Sequence, residues 1–118
     1  MKRRPTKDPE FAKAMEVRSK YRRSLLKLGK SPDTHVYDLS SDFLSYARRC
    51  PERSFLIRVK LYYEDLNVQM KQLFIAEVLE KGRNYPFWYL EQYRETVFRG
   101  KQRDIYKRVY RDFTPARA

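Results

Sequence analysis

A chain of 118 residues and 14.5 kDa has room for one domain with one modest core. Its 27 Lys and Arg against 15 Asp and Glu give a formal charge of +12, which points first to an acidic or polyanionic partner. A hydrophobic share of 42% and an aromatic share of 15% exclude a disordered basic tail, which would have too little to bury.

The charge is uneven along the chain. Residues 1–30 carry +8 and residues 98–118 carry +5, whereas residues 31–97 carry −1 and hold twelve of the eighteen aromatics. A single helical domain over 1–118 is expected, with a basic amphipathic helix in 1–30, a near-neutral aromatic-rich core in 31–97 and a basic helix end in 98–118.

The first helix is predicted between residues 9 and 28. Asp8 can cap it, Pro9 suits its first position, and Glu10 suits the positive end of its dipole. Phe11, Met15, Tyr21, Leu25 and Leu28, with Ala14 and the stem of Arg18, form a stripe at helical spacing, and Gly29 supplies a stop. The opposite face reads Lys13, Arg22, Arg23 and Lys27. Three readings of this cationic helix stand side by side: a solvated face with its stripe on the core, a mitochondrial address, and contact with anionic lipid head groups or nucleic acid phosphates.

Residues 29–37 read as an extended loop broken by Pro32 and Asp33. A short helix follows, capped by Ser40 or Ser41, packed through Phe43, Leu44, Tyr46 and Ala47 and ending at Arg48, Arg49 and Cys50. Pro51 and Glu52 restart helix, and Phe55, Leu56, Val59, Tyr62, Tyr63, Leu66, Met70, Leu73 and Phe74 keep a 3.6-residue period. That segment is expected to be the central core helix, about twenty residues long. Gly82 and Asn84 favour a stop. Tyr85, Phe87, Trp88 and Tyr89 then read as a hydrophobic corner in preference to a base-stacking platform. A last helix is predicted from about Pro86 to Asp112, apolar early at Phe87, Leu90, Tyr93, Val97 and Phe98 and cationic later. No strand alternation, repeat or glycine-rich phosphate loop is visible, so the expected fold is all-α, with four to five helices and no sheet.

Chemistry-bearing residues are few. One cysteine, Cys50, and one histidine, His35, form neither an internal disulfide nor a four-ligand zinc set. A nucleophilic triad would need His35 as its base, and a surface-loop histidine is the better reading. No apolar run approaches the ~18 residues of a membrane span, and no secretory apolar region follows the basic start. An integral membrane or secreted protein is not expected.

Several short motifs occur in a recognisable order. Lys27-Leu28-Gly29, Asp33 and Val36-Tyr37 come first; Arg48-Arg49 with Pro51-Glu52 and then Arg58 follow; Tyr89-Leu90-Glu91 with Tyr93, Glu95 and Val97 close the series. In that order and spacing the chain resembles subunit 7 of the mitochondrial cytochrome bc1 complex, the ubiquinol-cytochrome c reductase binding protein family. It differs where that family commonly has prolines, at Gln92 and near Ala76, and in having only Lys60 where a basic run usually follows Arg58.

The resemblance implies a small, all-helical, cofactor-free subunit on the matrix face of the mitochondrial inner membrane, packed against cytochrome b and the core subunits. Haem b, haem c, the iron-sulfur cluster and quinone would belong to partner subunits, and this chain would have no catalytic residues. Tyr21, Arg22, Leu25 and Leu28 would face cytochrome b or an anionic lipid such as cardiolipin. Arg48, Arg49, Glu52 and Arg58 would make inter-helix or inter-subunit ion pairs, and Tyr89 and Tyr93 would lie at the same interfaces. The other expectation is a basic mitochondrial ribosomal or otherwise RNA-associated protein, whereas no nucleic acid enters the complex III reading.

Overall fold

The computed structural model describes residues 8–46, 49–83 and 86–115. Helix α1 (Pro9–Lys27) starts where the Asp8 carboxylate accepts the Glu10 N–H at 3.0 Å and Pro9 fills the first helical position. It ends in two crossed backbone bonds: Gly29 N–H donates to the Leu26 carbonyl at 3.0 Å and Lys30 N–H to the Leu25 carbonyl at 2.8 Å. This closure needs φ of +80° at Gly29, a region that a side chain disfavours.

Beyond α1, a single 3₁₀ turn (Val36–Asp38) leads to α2 (Ser41–Tyr46), whose start is capped by the Ser40 hydroxyl accepting the Phe43 N–H at 3.0 Å. Helix α3 (Pro51–Asp65), helix α4 (Val68–Phe74) with a π-helical turn continuing it (Ile75–Leu79), a 3₁₀ turn (Trp88–Glu91) and helix α5 (Glu95–Phe113) complete the chain. The fold is all-α, with five α-helices and no strand among the described residues. Ala47, Arg48, Asn84, Tyr85 and the side chain of Tyr46 lie outside the described residues.

The central element is α1, rather than the 51–74 segment, because α1 lies against α3, α5 and the π turn together. Its buried seam is Ala14, Val17, Tyr21, Ser24 and Leu25. Neighbours on more than one side rotate this seam away from the expected stripe. Phe11 stays 40% exposed, and Arg18 reaches past the seam to donate Nε to the Lys81 carbonyl at 2.8 Å. Leu39, Leu56, Leu73, Phe74 and Ile105 fill the same core, each fully buried side chain contributing about 2 kcal/mol.

Two expected helices are shorter than their apolar periods suggested. The 51–74 segment breaks at Leu66 and Asn67, where the Asn67 side chain accepts the Met70 N–H at 2.8 Å and caps α4. Leu66 in the break and Leu73 beyond it are both buried, as Leu56 and Val59 are before it, so the apolar period runs through the break. The last helix begins at Glu95 and not near Pro86. Tyr89 stacks flat on Phe98 with centroids 3.7 Å apart, which requires the chain to turn between them, and Gln92 and Tyr93 N–H both donate to the Tyr89 carbonyl at 2.9 Å. Phe87, Leu90 and Val97, expected on the packed face, are consequently exposed.

Three interior phenols set the alkaline limit of this core. The Tyr21 hydroxyl donates to the Thr34 carbonyl at 2.7 Å and the Tyr62 hydroxyl to Asp112 Oδ2 at 2.9 Å. Burial holds these two and Tyr106 protonated well above the ordinary phenol value of 10.0. The unfolded chain ionises these groups first, so their contribution is complete below pH ~10 and is lost as pH rises beyond it. The thermal midpoint should therefore fall steeply between about pH 10 and pH 11.5. A midpoint that holds across that range would contradict the burial of these hydroxyls.

Candidate functional site

Among the described residues, the outward faces of two helices carry the surplus charge. On α1, the exposed Lys20, Arg23 and Lys27 succeed one another at helical spacing and line a cavity of about 300 Å³ with Ser24, Pro51 and Glu52. Lys20 Nζ sits 4.7 Å above the Phe55 ring, its stem covering the core and its charge facing outward. On α5, Asp104, Lys107, Arg108 and Arg111 border an open groove of about 470 Å³ with Glu10 and Met70. Arg111 donates to both Asp112 oxygens, at 2.7 and 2.9 Å, and this bonding holds the Asp112 carboxyl below its usual range.

The sequence-expected site residues do not converge on one surface. Tyr21 is 1% exposed and Leu25 0%, so both belong to the chain's own core and are not available to cytochrome b or lipid. Arg22 Nη1 donates to Asp33 at 3.1 Å and ties α1 to the loop that follows it. Leu28 is half-buried at the end of α1. Arg48 lies outside the described residues, and Arg49 is exposed in the bend before α3. Glu52 stands in the first turn of α3 beside the three α1 cations. Arg58 makes an inter-helix contact, but to a backbone carbonyl: Nη2 donates to Asp112 O at 2.5 Å, with the guanidinium 4.5 Å above the Phe113 ring. Tyr89 is buried under Phe98, and Tyr93 is half-buried with Lys101 5.8 Å over its ring.

Two buried carboxylates, Glu77 in the π turn and Glu80 directly after it, were not foreseen. Glu77 Oε1 accepts Lys81 Nζ and Gln102 Nε2, each at 2.8 Å, while its Oε2 accepts Trp88 Nε1 at 2.9 Å. Glu80 meets His35 Nδ1 in a short contact, and Arg83 lies 3.9 Å from its other oxygen. The His35 ring stacks on Tyr37 at 4.9 Å, nearly parallel. His35 is thus half-buried and tied to the helical body, a correction to its reading as a plain surface-loop residue.

The π geometry explains the inward turn of these acids. Glu80 N–H donates to the Ile75 carbonyl, five residues back, at 2.8 Å, so the segment holds one residue more per turn than an α-helix. That extra residue shifts the face presented after Ile75 and brings Glu77 and Glu80 inside. The only local sign was Glu77 four residues ahead of Lys81, a spacing equally common on exposed helices.

Chemically, Glu77 joins the π turn, the 3₁₀ turn at Trp88 and α5, and Glu80 joins the loop after α1 to the π turn. Among the described residues no group of three or more His, Cys, Asp or Glu is arranged to hold a metal ion. No described helix is long and apolar enough to cross a membrane. In comparisons with known proteins, no family model, no curated protein and no solved structure matches the chain.

Proposed function

We propose that the chain is a non-catalytic structural subunit of the mitochondrial ubiquinol-cytochrome c reductase, complex III, docking on the matrix side of the inner membrane against cytochrome b and the core subunits. The observation that carries this reading is the ordered motif series from Lys27 to Val97. It is supported by an all-helical body and by cations that α1 and α5 direct outward. Haem b, haem c, the iron-sulfur cluster and quinol chemistry stay with the partner subunits. This chain contributes docking surface and stability of assembly.

Exposed ion pairs contribute only about 0 to 1 kcal/mol each, so charge alone would hold such a subunit weakly. The exposed Phe87, Leu90 and Val97 supply apolar material for the dry centre of an interface, and the α1 cations suit its rim or the anionic head groups of cardiolipin.

The reading is tested by affinity purification of the tagged chain from mitochondria. Haem b and c absorbance and quinol oxidation should accompany it, and their absence rejects the proposal. Joint replacement of Lys20, Arg23 and Lys27 by Glu should reduce assembled complex at least about fivefold, with little change in the melting of the isolated chain. The same +12 charge favours, as the second reading, a mitochondrial ribosomal or other RNA-associated protein. Co-sedimentation with ribosomes, and RNA binding that weakens steeply with salt, would select it.

A further inference from the structure

The cavity between the second half of α1 and the start of α3 carries charge that the chain itself does not use. Lys20, Arg23 and Lys27 are exposed around it, and none of the three is ion-paired among the described residues. Lys20 is held instead by the core, its ammonium 4.7 Å above the Phe55 ring. Glu52 offsets one of the three charges, which leaves the lining at a formal +2. Pro51 and Glu52 bring the N-terminus of α3 to the same space, and the cap residue, Cys50, makes no side-chain hydrogen bond to it. The positive end of the helix dipole therefore adds to the field of the cations.

Cations and a helix end alone would describe a solvated surface. The cavity adds Ser24, four residues after Lys20 and three before Lys27, and so on their face of the helix. Ser24 is 1% exposed, yet its hydroxyl makes no hydrogen bond among the described residues. Nor is that hydroxyl sealed: among the described residues, the buried side-chain oxygens with neither a partner nor an opening to solvent are those of Tyr106 and Thr114. The small surface that Ser24 keeps is where it lines the cavity. A buried helical serine can bond the carbonyl four residues back, but this one leaves its donor for a group arriving through the opening.

We propose that this cavity binds a phosphate group. The Ser24 hydroxyl donates to one phosphate oxygen at the floor, the Arg23 guanidinium grips the others, and Lys20, Lys27 and the α3 N-terminus balance the remaining charge. A lining of net +2 suits a phosphate dianion better than a singly charged carboxylate. The volume of about 300 Å³ takes one such group with a small ester body. Membership of complex III is not assumed: a purified chain that fails to bind phosphate leaves the co-purification of haem untouched, and the converse holds as well.

Calorimetric titration of the full chain would compare glycerol 3-phosphate with acetate in about 0.1 M salt, where charges more than ~10 Å apart are largely screened. Saturable one-to-one binding of the phosphate ester is expected, with acetate at least about tenfold weaker. Ser24→Ala should weaken binding about tenfold, because a hydrogen bond to a charged group is lost. The same variant should not lower the melting temperature of the unliganded chain, because the hydroxyl has no partner to lose and alanine is the better helix former. Arg23→Gln should weaken binding by a similar factor. Arg103→Ala, beside Glu10 and Phe11 and about 20 Å back along α1, leaves it unchanged. Flotation with phosphatidylcholine vesicles containing phosphatidic acid decides the source of the phosphate. Ser24-dependent binding to vesicles, tighter than to glycerol 3-phosphate, assigns the site to a lipid head group, and no preference for vesicles assigns it to a soluble phosphate ester. The proposal is overturned if neither form binds saturably to a chain with native circular dichroism, or if acetate binds equally well. It is overturned too if Ser24→Ala binds undiminished or melts lower, or if Arg103→Ala weakens binding as much as Arg23→Gln.

Discussion

Glu77→Ala is expected to destabilise the purified chain by about 3 kcal/mol, lowering its melting temperature by roughly 12 °C. The substitution removes the acceptor for Lys81, Gln102 and Trp88 at once. Donors left unpaired in a largely buried site retain their desolvation penalty, so the cost exceeds the net contribution of any one bond. Lys81 is partly exposed and can return to water, which holds the figure toward the lower end for a broken buried ion pair. Glu77→Gln keeps the shape and one acceptor oxygen, and should lose about half as much. Glu16→Ala, which removes only the exposed pair with Lys13 at 3.3 Å, should stay within about 0.5 kcal/mol of the parent chain. Urea melts of the three variants decide the matter: a Glu77→Ala loss no larger than that of Glu16→Ala would mean that the carboxylate does not organise the interior.

Leu25→Ala should cost about 3 kcal/mol in the same isolated chain, while Leu26→Ala beside it should cost less than about 0.5 kcal/mol. Leu25 is 0% exposed and Leu26 59%, so adjacent leucines separate core from surface on one turn of α1. A partner-facing Leu25 would behave in the opposite way, leaving the free chain intact and lowering only assembly. Chemical denaturation without any partner therefore distinguishes the two roles, and a neutral Leu25→Ala would restore the docking assignment.

The contrast between these leucines marks where the sequence stops being legible. Helix limits set by local chemistry could be read directly: Asp8-Pro9 opens α1, Gly29 closes it, and Pro51 opens α3. Limits set by distant contacts could not. The start of α5 depends on Tyr89 lying flat on Phe98, and the π turn depends on placing Glu77 against Gln102 and Trp88. An apolar stripe states that one face of a helix must be covered. It does not state whether the cover is another protein or, as for Tyr21 and Leu25, the chain's own helices. His35 reads as a surface-loop residue in the sequence for a related reason: its partner Glu80 stands 45 residues away, and neither residue type advertises the other.

The docking of α1 on α5 also bears on the order in which the molecule can be made. Helix α1 leaves the ribosome well before α5, its main neighbour and the source of the Tyr106 contact for Phe11. Until α5 arrives, only α3 and the π turn can cover the seam of α1. The packing of α1 on α5 is accordingly a long-range contact that can form only after α3 and the π turn have been made.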